Sequence, residues 1–291
     1  MTRILSALAE ISSQYDAVFC DLWGCLHNGR QAFPDAVAAL QNYRANGGTV
    51  VLLTNAPRPS WGIGGQLDRL GVPKDAYDLI VSSGDAAQLA LAAGEFGRKV
   101  HHIGPERDLV FFADQNGQPL DVERVALEEA QSIVCTGLFD DRSETPDDYR
   151  HTILSGINKG LPLLCANPDI VVDVGETRIY CAGAIAEAYK AAGGDVRYFG
   201  KPHAPIYVLA RQKLVALTGK DTPDSAILAI GDGIATDIPG ALGEGIDGLF
   251  VTGGLAAEET GTTAQSPDPS KLEAYLARHQ MSAPYAISFL R

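Results

Sequence analysis

Apolar runs and helical patterns alternate along this chain, and their spacing predicts a layout before any single residue is weighed. "AVFCDLW" from Ala17 reads as a strand, and "TVVLLTN" from Thr49 as a second one with apolar residues on both faces. "YDLIVSS" from Tyr77 gives a third. Between the first two, "PDAVAALQNYRANGG" predicts a helix with Pro at its start and Gly-Gly at its end. "QLDRLG" closes another helix. Strands that are apolar throughout and separated by helices predict a parallel sheet covered on both sides. The rhythm returns toward the C-terminus with "VRYFGKP", a helix from about Pro205 to Leu217, "AILAIGD", a short helix from Asp237, and "GLFVTGG".

The middle of the chain breaks this rhythm with a second set of units. They are "KVHHIG", "DLVFFAD", "SIVCTG", the helix "DDYRHTILSGINKG", "LPLLCANPD" and the helix "GAIAEAYKAAGG". Residues 1–84 and 195–291 are therefore expected to form one α/β core. Residues 85–194 are expected to form an inserted α/β domain that shields a site at the strand carboxyl ends. "AAEETGTTAQSPDPSK" reads as a polar surface loop before the last helix.

Composition narrows the partners. The 291 residues exceed the common size of one domain. A formal net charge of −13 gives a surface that repels nucleic acid and anionic lipid, so neither is an expected partner. An anionic substrate would need local positive charge from a metal, a lysine or backbone N–H groups. The five cysteines are odd in number and spaced for neither a disulfide framework nor a zinc site, which suits a reducing cytoplasm. The N-terminal stretch lacks the apolar core of a signal peptide, and no run approaches the roughly 20 apolar residues of a membrane span.

Candidate chemistry sits at four strand ends, where open α/β sheets place ligands. Asp21, in "CDLWG", suits a nucleophile in phosphoryl transfer or a Mg²⁺ ligand, or equally a capping carboxylate. Thr54 and Asn55, in "LLTNAP", offer a hydroxyl, an amide and backbone N–H groups to a phosphate oxygen, or form a plain turn. Lys201, in "FGKPH", could place one ammonium among carboxylates and phosphate, or be a solvated lysine. Asp232 and Asp237, in "IGDGIATD", supply two hard oxygen ligands around a Gly-containing turn, as Mg²⁺ requires. A bare apolar strand ending in a carboxylate favours that metal reading over a cap. His101 and His102 are adjacent on a strand, so they face opposite sides and are not expected to share a metal. His203 could cap the following helix, and a site role for it is open but has no support in the sequence beyond its place after "GKP".

In this order the segments resemble the haloacid dehalogenase (HAD) superfamily. Asp21 matches the first motif, Thr54-Asn55 the second, Lys201 the third, and Gly231-Asp232 with Asp237 the fourth. The insertion between the second and third motifs, with "CANPD", "YCAGAIAEAY" and "YFGKPHAPIY", is similar to the NagD-like branch, subclass IIA, which includes p-nitrophenyl phosphatases and sugar or nucleotide phosphatases. The resemblance implies an α/β fold with a HAD-like Rossmannoid parallel-sheet core and an inserted C2-type cap. It implies a Mg²⁺-dependent phosphatase acting on a small phosphorylated metabolite through an aspartyl-phosphate. Asp21 is then nucleophile and metal ligand. The backbone carbonyl of Trp23 and Asp232 are further ligands, with Asp237 close by or acting through water. Thr54 and Asn55 hold phosphate, Lys201 balances the acidic cluster, and Asn167 and Asp169 of the cap approach the leaving group. A homodimer is compatible with this branch, whose caps can serve as dimer interfaces.

One position departs from the pattern. The superfamily's phosphatases carry an Asp two residues after the nucleophile, which protonates the leaving oxygen and then activates water; here that residue is Trp23. An indole N–H donates but does not titrate usefully, and general acid–base help is typically worth about 10²–10⁴ in rate. Three outcomes follow. His27, six residues after Asp21, could supply the missing acid, although a surface or packed loop histidine is the plainer expectation. The substrate could carry a good leaving group, such as an aryl or acyl phosphate. Or the chain could bind phosphometabolites in a regulatory role without turnover. A metal-free dehalogenase fits less well, since carbon displacement needs no metal-binding pair of carboxylates.

Overall fold

Val18, Phe19, Leu52, Leu53, Leu228 and Ile230 are all buried, and the runs that contain them form adjacent strands of one sheet. Its order is Arg3–Ile4, Tyr285–Ile287, Asp247–Val251, Ile227–Gly231, Ala17–Cys20, Thr49–Thr54 and Leu79–Ser82. Pairing is parallel at every step from Arg3–Ile4 to Thr49–Thr54. The computed structural model describes residues 1–174 and 177–291, which divide into two units. Residues 1–54, 64–81 and 207–291 form the unit that holds this sheet. Its strand order places Ala17–Cys20 at a switch point, because the chain first builds outward on one side and later on the other. Such a switch opens a crevice at the strand carboxyl ends.

Helices of this unit follow the sequence pattern. Pro34–Ala45 begins with Pro in its first turn and buries Ala36, Val37, Leu40 and Tyr43, one helical stripe. Asp237–Glu244 and Pro269–Arg278 bring Ile238, Leu272, Tyr275 and Leu276 into a core with Phe250 and Ala286. The stretch from Ala256 is less exposed than its polar composition suggests. Thr260 is buried, with its hydroxyl donated to the Ala256 carbonyl at 2.7 Å, and Thr262 donates to Thr252 at 2.8 Å.

The second unit comprises residues 55–63 and 82–206. Its five-stranded sheet has the order Val196–Tyr198, Leu163–Cys165, Ser132–Cys135, Lys99–Ile103 and Glu123–Arg124, parallel throughout. Ile133, Leu163, Tyr149, Ile153, Ile185 and Tyr189 centre its core, packed by helices Arg150–Asn158 and Ala182–Ala191. A separate antiparallel pair joins Val171–Val174 to Thr177–Tyr180.

Three features differ from the sequence expectation. The "VRYFGKP" strand pairs with Leu163–Cys165 and so belongs to this second sheet, not to the first. Residues 55–63 also group with the second unit, where Ser60 donates its N–H and hydroxyl to Asp85 at 2.8 and 3.0 Å. Finally, the helix Ser83–Ala92 spans the expected boundary at residue 84. It starts on a capping box in which Ser82 accepts from the Asp85 N–H and Asp85 from the Ser82 N–H. Among the described residues no helix is long and apolar enough to cross a membrane.

Candidate active site

Strand register carries Asp21 and Asp232 to the same end of the sheet. Ile230 pairs with Cys20, and the Asp21 N–H extends the ladder by donating to the Ile230 carbonyl at 2.8 Å. Asp21 and Asp232 therefore leave neighbouring strands at the switch point. Thr54, also buried, ends the strand on the other side of Ala17–Cys20. Carboxylate oxygens of Asp21 and Asp232 and the Cys25 thiol lie within 4.8 Å of one another. Both carboxylates are only 7% exposed.

Two glycines make room for this arrangement. Gly24 has φ +74°, and a Cβ there would sit 2.0 Å from Asp232 Oδ2. A Cβ on Gly254 would come within 1.9 Å of the same oxygen. Asp232 Oδ2 also accepts from the Leu255 N–H at 3.4 Å. The backbone thus closes around the carboxylate, and this cradle admits no side chain. Like charges so close and so buried repel strongly unless a cation lies beside them. Oxygens sharing one Mg²⁺ stand about 3–4 Å apart, a spacing this pair reaches with small movements. The residues therefore fit a divalent cation.

Asp237 stands outside this group of three. Its Oδ2 accepts from the Gly233 N–H at 3.1 Å and the Thr236 hydroxyl at 3.4 Å, closing its own turn. A Cβ on Gly231 would fall 2.1 Å from its carboxyl carbon, so that glycine seats the side chain.

Trp23 and His27 pack on each other. The loop folds back through bonds from the Leu26 and His27 N–H groups to the Leu22 carbonyl, at 2.8 and 3.0 Å, and from the Gly24 N–H to the His27 carbonyl at 3.0 Å. The rings meet edge to face with centroids 5.2 Å apart. Gly29 has φ +80°, and a Cβ there would strike the indole at 2.3 Å. His27 is 1% exposed, and its Nδ1 accepts from the Gly29 N–H at 3.2 Å. Burial pushes its pKa down to about 4, so the imidazole is neutral at pH 7. His27 is thus packed inside its loop rather than solvated.

This depressed pKa has a stability consequence. Below about pH 6.5 the unfolded chain gains a proton that the folded His27 refuses. Stability is full above that pH and falls toward pH 4, by up to about 3 kcal/mol from this residue. The check is urea unfolding followed by Trp23 fluorescence in a Trp61→Phe background. His27→Leu should flatten the acid limb; an unchanged limb would contradict the assignment.

In the second unit, Asn55 has its side chain committed. Its Nδ2 donates to Asp169 Oδ1 at 2.8 Å and to the Lys201 carbonyl at 3.1 Å, and its Oδ1 accepts from the Lys201 N–H at 2.7 Å. The amide expected to meet phosphate is thus a brace that fixes Lys201 and Asp169. Lys201 is buried. Asn167 Oδ1 accepts from the Asp169 N–H at 3.0 Å, so these two residues form one local turn. Adjacent His101 and His102 find separate partners, the Val125 carbonyl and the Thr136 hydroxyl, as alternating strand faces require. His203 stacks flat on Tyr198 with centroids 4.6 Å apart.

The sequence pattern alone does not mark Cys25, Gly24 or Gly254 as site residues. Cys25 could have been found by its place in the glycine turn after Asp21. Gly254 follows a strand 22 positions after Asp232, and only the fold brings it to that carboxylate.

Comparison with known proteins adds relatives of this arrangement. Residues 18–117 match the family described as haloacid dehalogenase-like hydrolase, and residues 198–273 match one described as HAD-hydrolase-like. The chain is similar to a crystal structure of a haloacid dehalogenase-like family hydrolase from Brucella suis 1330. They share 41% identity with a TM-score of 0.86, over 99% of this chain and 100% of that one. It is 27% identical over 249 residues to a D-glycerol 3-phosphate phosphatase of Mycobacterium tuberculosis, covering 85% of this chain and 66% of that relative's length. A glycerol phosphate phosphatase from the same organism, solved in complex with magnesium, is 26% identical with a TM-score of 0.64 over 88% of this chain and 75% of that one.

Proposed function

The chain belongs to the haloacid dehalogenase-like hydrolase family, and from that premise we propose that it is a Mg²⁺-dependent phosphatase of a small phosphorylated metabolite. The observation that carries this reading is the buried Asp21–Asp232 pair at the sheet's switch point, cradled by Gly24 and Gly254. Asp21, Asp232 and the Trp23 carbonyl would hold the cation, with Asp237 supporting the turn beside it. When bound, Mg²⁺ offsets the negative charge of the phosphoryl oxygens.

Asp21 attacks phosphorus through one carboxylate oxygen. The bond to the leaving oxygen breaks, and its electron pair leaves with that oxygen. Water then cleaves the aspartyl-phosphate and regenerates Asp21. Thr54 and the Asn55 backbone take the phosphate-binding roles of the second motif, and Lys201 the charge-balancing role of the third. The inserted unit, with Asn167 and Asp169, has the α/β make-up of a type-2 cap, and to it we assign substrate choice. Five buried, unbridged cysteines suit a cytoplasmic setting.

Trp23 leaves the leaving oxygen without the usual acid, and the burial and lowered pKa of His27 speak against it as the replacement. Rates should therefore fall steeply as the leaving group grows more basic. Relative to p-nitrophenyl phosphate, glycerol 3-phosphate is expected to turn over about 10²–10⁴-fold more slowly. A flat dependence across a series from aryl to alkyl phosphates would show that another group supplies the proton. The same tryptophan favours a second reading, a phosphometabolite-binding protein, which folded, Mg²⁺-loaded protein with no turnover even of the nitrophenyl ester would establish.

A further inference from the structure

Asp21 and Asp232 serve a hard cation, but the third member of their group, Cys25, is a soft ligand that Mg²⁺ does not use. Its side chain is 1% exposed. Cys20, Cys135 and Cys165 each donate to a backbone carbonyl, of Asp21 at 3.3 Å, Gly137 at 3.8 Å and Asn167 at 3.3 Å respectively. Among the described residues Cys25 donates to nothing; its sulfur instead faces the two carboxylates. The turn fixes it there, through the Leu26 N–H bond to Leu22 and the Gly24 N–H bond to His27. A thiol sealed from water beside two carboxylates, with no hydrogen bond among the described residues, is a soft ligand atom aimed at a hard pair.

We propose that Asp21, Cys25 and Asp232 form a mixed oxygen–sulfur site that takes a thiophilic divalent cation, Zn²⁺ or Co²⁺, in the same pocket and in competition with Mg²⁺. Tetrahedral Zn²⁺ holds sulfur at about 2.3 Å and carboxylate oxygen at about 2.0–2.2 Å. Ligand atoms on one such ion therefore lie about 3–4 Å apart. The three atoms start within 4.8 Å of one another, so rotation of side chains suffices. On binding, the Cys25 S–H bond breaks, its proton passes to solvent, and a sulfur–metal bond forms; nothing is oxidised or reduced. The consequence is a phosphatase that exchanges a weakly held working ion for a tightly held one when thiophilic metal is present. The proposal rests on the reading of Asp21 and Asp232 as a cation site.

The test titrates Co²⁺ into the full-length chain after EDTA treatment and removal of the chelator. Bound Co²⁺ shows visible d–d bands whatever its ligands, and a near-ultraviolet charge-transfer band only when a thiolate is among them. Both are expected in the natural protein. The charge-transfer band should persist in Cys20→Ala and vanish in Cys25→Ser, with Zn²⁺ affinity in the latter reduced by at least about tenfold. Visible bands without charge transfer in the natural protein would overturn the proposal and leave the oxygen site standing. Failure of folded protein to take up Co²⁺ at all would overturn both. Should Cys25→Ser not fold, zinc-edge X-ray absorption of the natural protein decides: one sulfur at about 2.3 Å supports the site, and oxygen and nitrogen ligands only refute it.

Discussion

Trp23→Asp is expected to raise glycerol 3-phosphate turnover by about 10²–10⁴-fold and p-nitrophenyl phosphate turnover far less. The substitution restores, two residues after Asp21, a group that can protonate a basic leaving oxygen and then draw a proton from water. A nitrophenolate leaves without that help, so its rate has less to gain. The variant also loses packing, because the indole lies against His27 and over Gly29. Trp23 is half-buried, so the loss should stay below the about 3–5 kcal/mol of a fully buried tryptophan. Rates for both esters, with a folding control, separate the two effects. Unchanged alkyl phosphate turnover in folded Trp23→Asp would mean that the missing acid does not limit this enzyme.

Gly254→Ala should weaken Mg²⁺ binding by at least about 10–100-fold while leaving the fold in place. The added methyl would sit 1.9 Å from Asp232 Oδ2, and its nearest neighbours all belong to that one side chain. The carboxylate must therefore leave its present position, which costs the site a ligand without opening the core. Gly24→Ala makes the same collision at 2.0 Å and adds a left-handed backbone that alanine resists. Gly243→Ala is the control, since its Cβ would meet nothing within 4 Å. Mg²⁺ affinity by calorimetry should fall in the first two variants and not in the third. Equal affinity in all three would remove Asp232 from the cation site.

Much of this architecture was legible in the sequence because burial and periodicity speak locally. The fully apolar runs around Phe19, Leu52 and Leu228 announce a covered parallel sheet, and the carboxylates that end two of them mark its crevice. Partners of short strands are set by distant contacts, so nothing local in Val196–Tyr198 tells that it pairs with Leu163–Cys165, and the two-residue edge Arg3–Ile4 carries no periodic signal. The site divided in the same way. The order of Asp21, Thr54, Lys201 and Asp232 could be read along the chain. That Asn55 spends its amide on Lys201 and Asp169 could not, since those partners lie more than 100 residues away. The same holds for the meeting of Gly254 with Asp232, which depends on how two strand ends converge.

The phosphatase reading turns on whether Asp21 carries the phosphoryl group. The direct measurement is p-nitrophenyl phosphate hydrolysis with Mg²⁺, with EDTA and in Asp21→Asn, alongside mass spectrometry of acid-quenched enzyme. Turnover that needs Mg²⁺, drops by about 10³-fold or more in the variant, and leaves phosphate on the peptide containing Asp21 is the expected result. Turnover that survives in Asp21→Asn, or a folded, Mg²⁺-loaded natural protein that hydrolyses nothing, would contradict it.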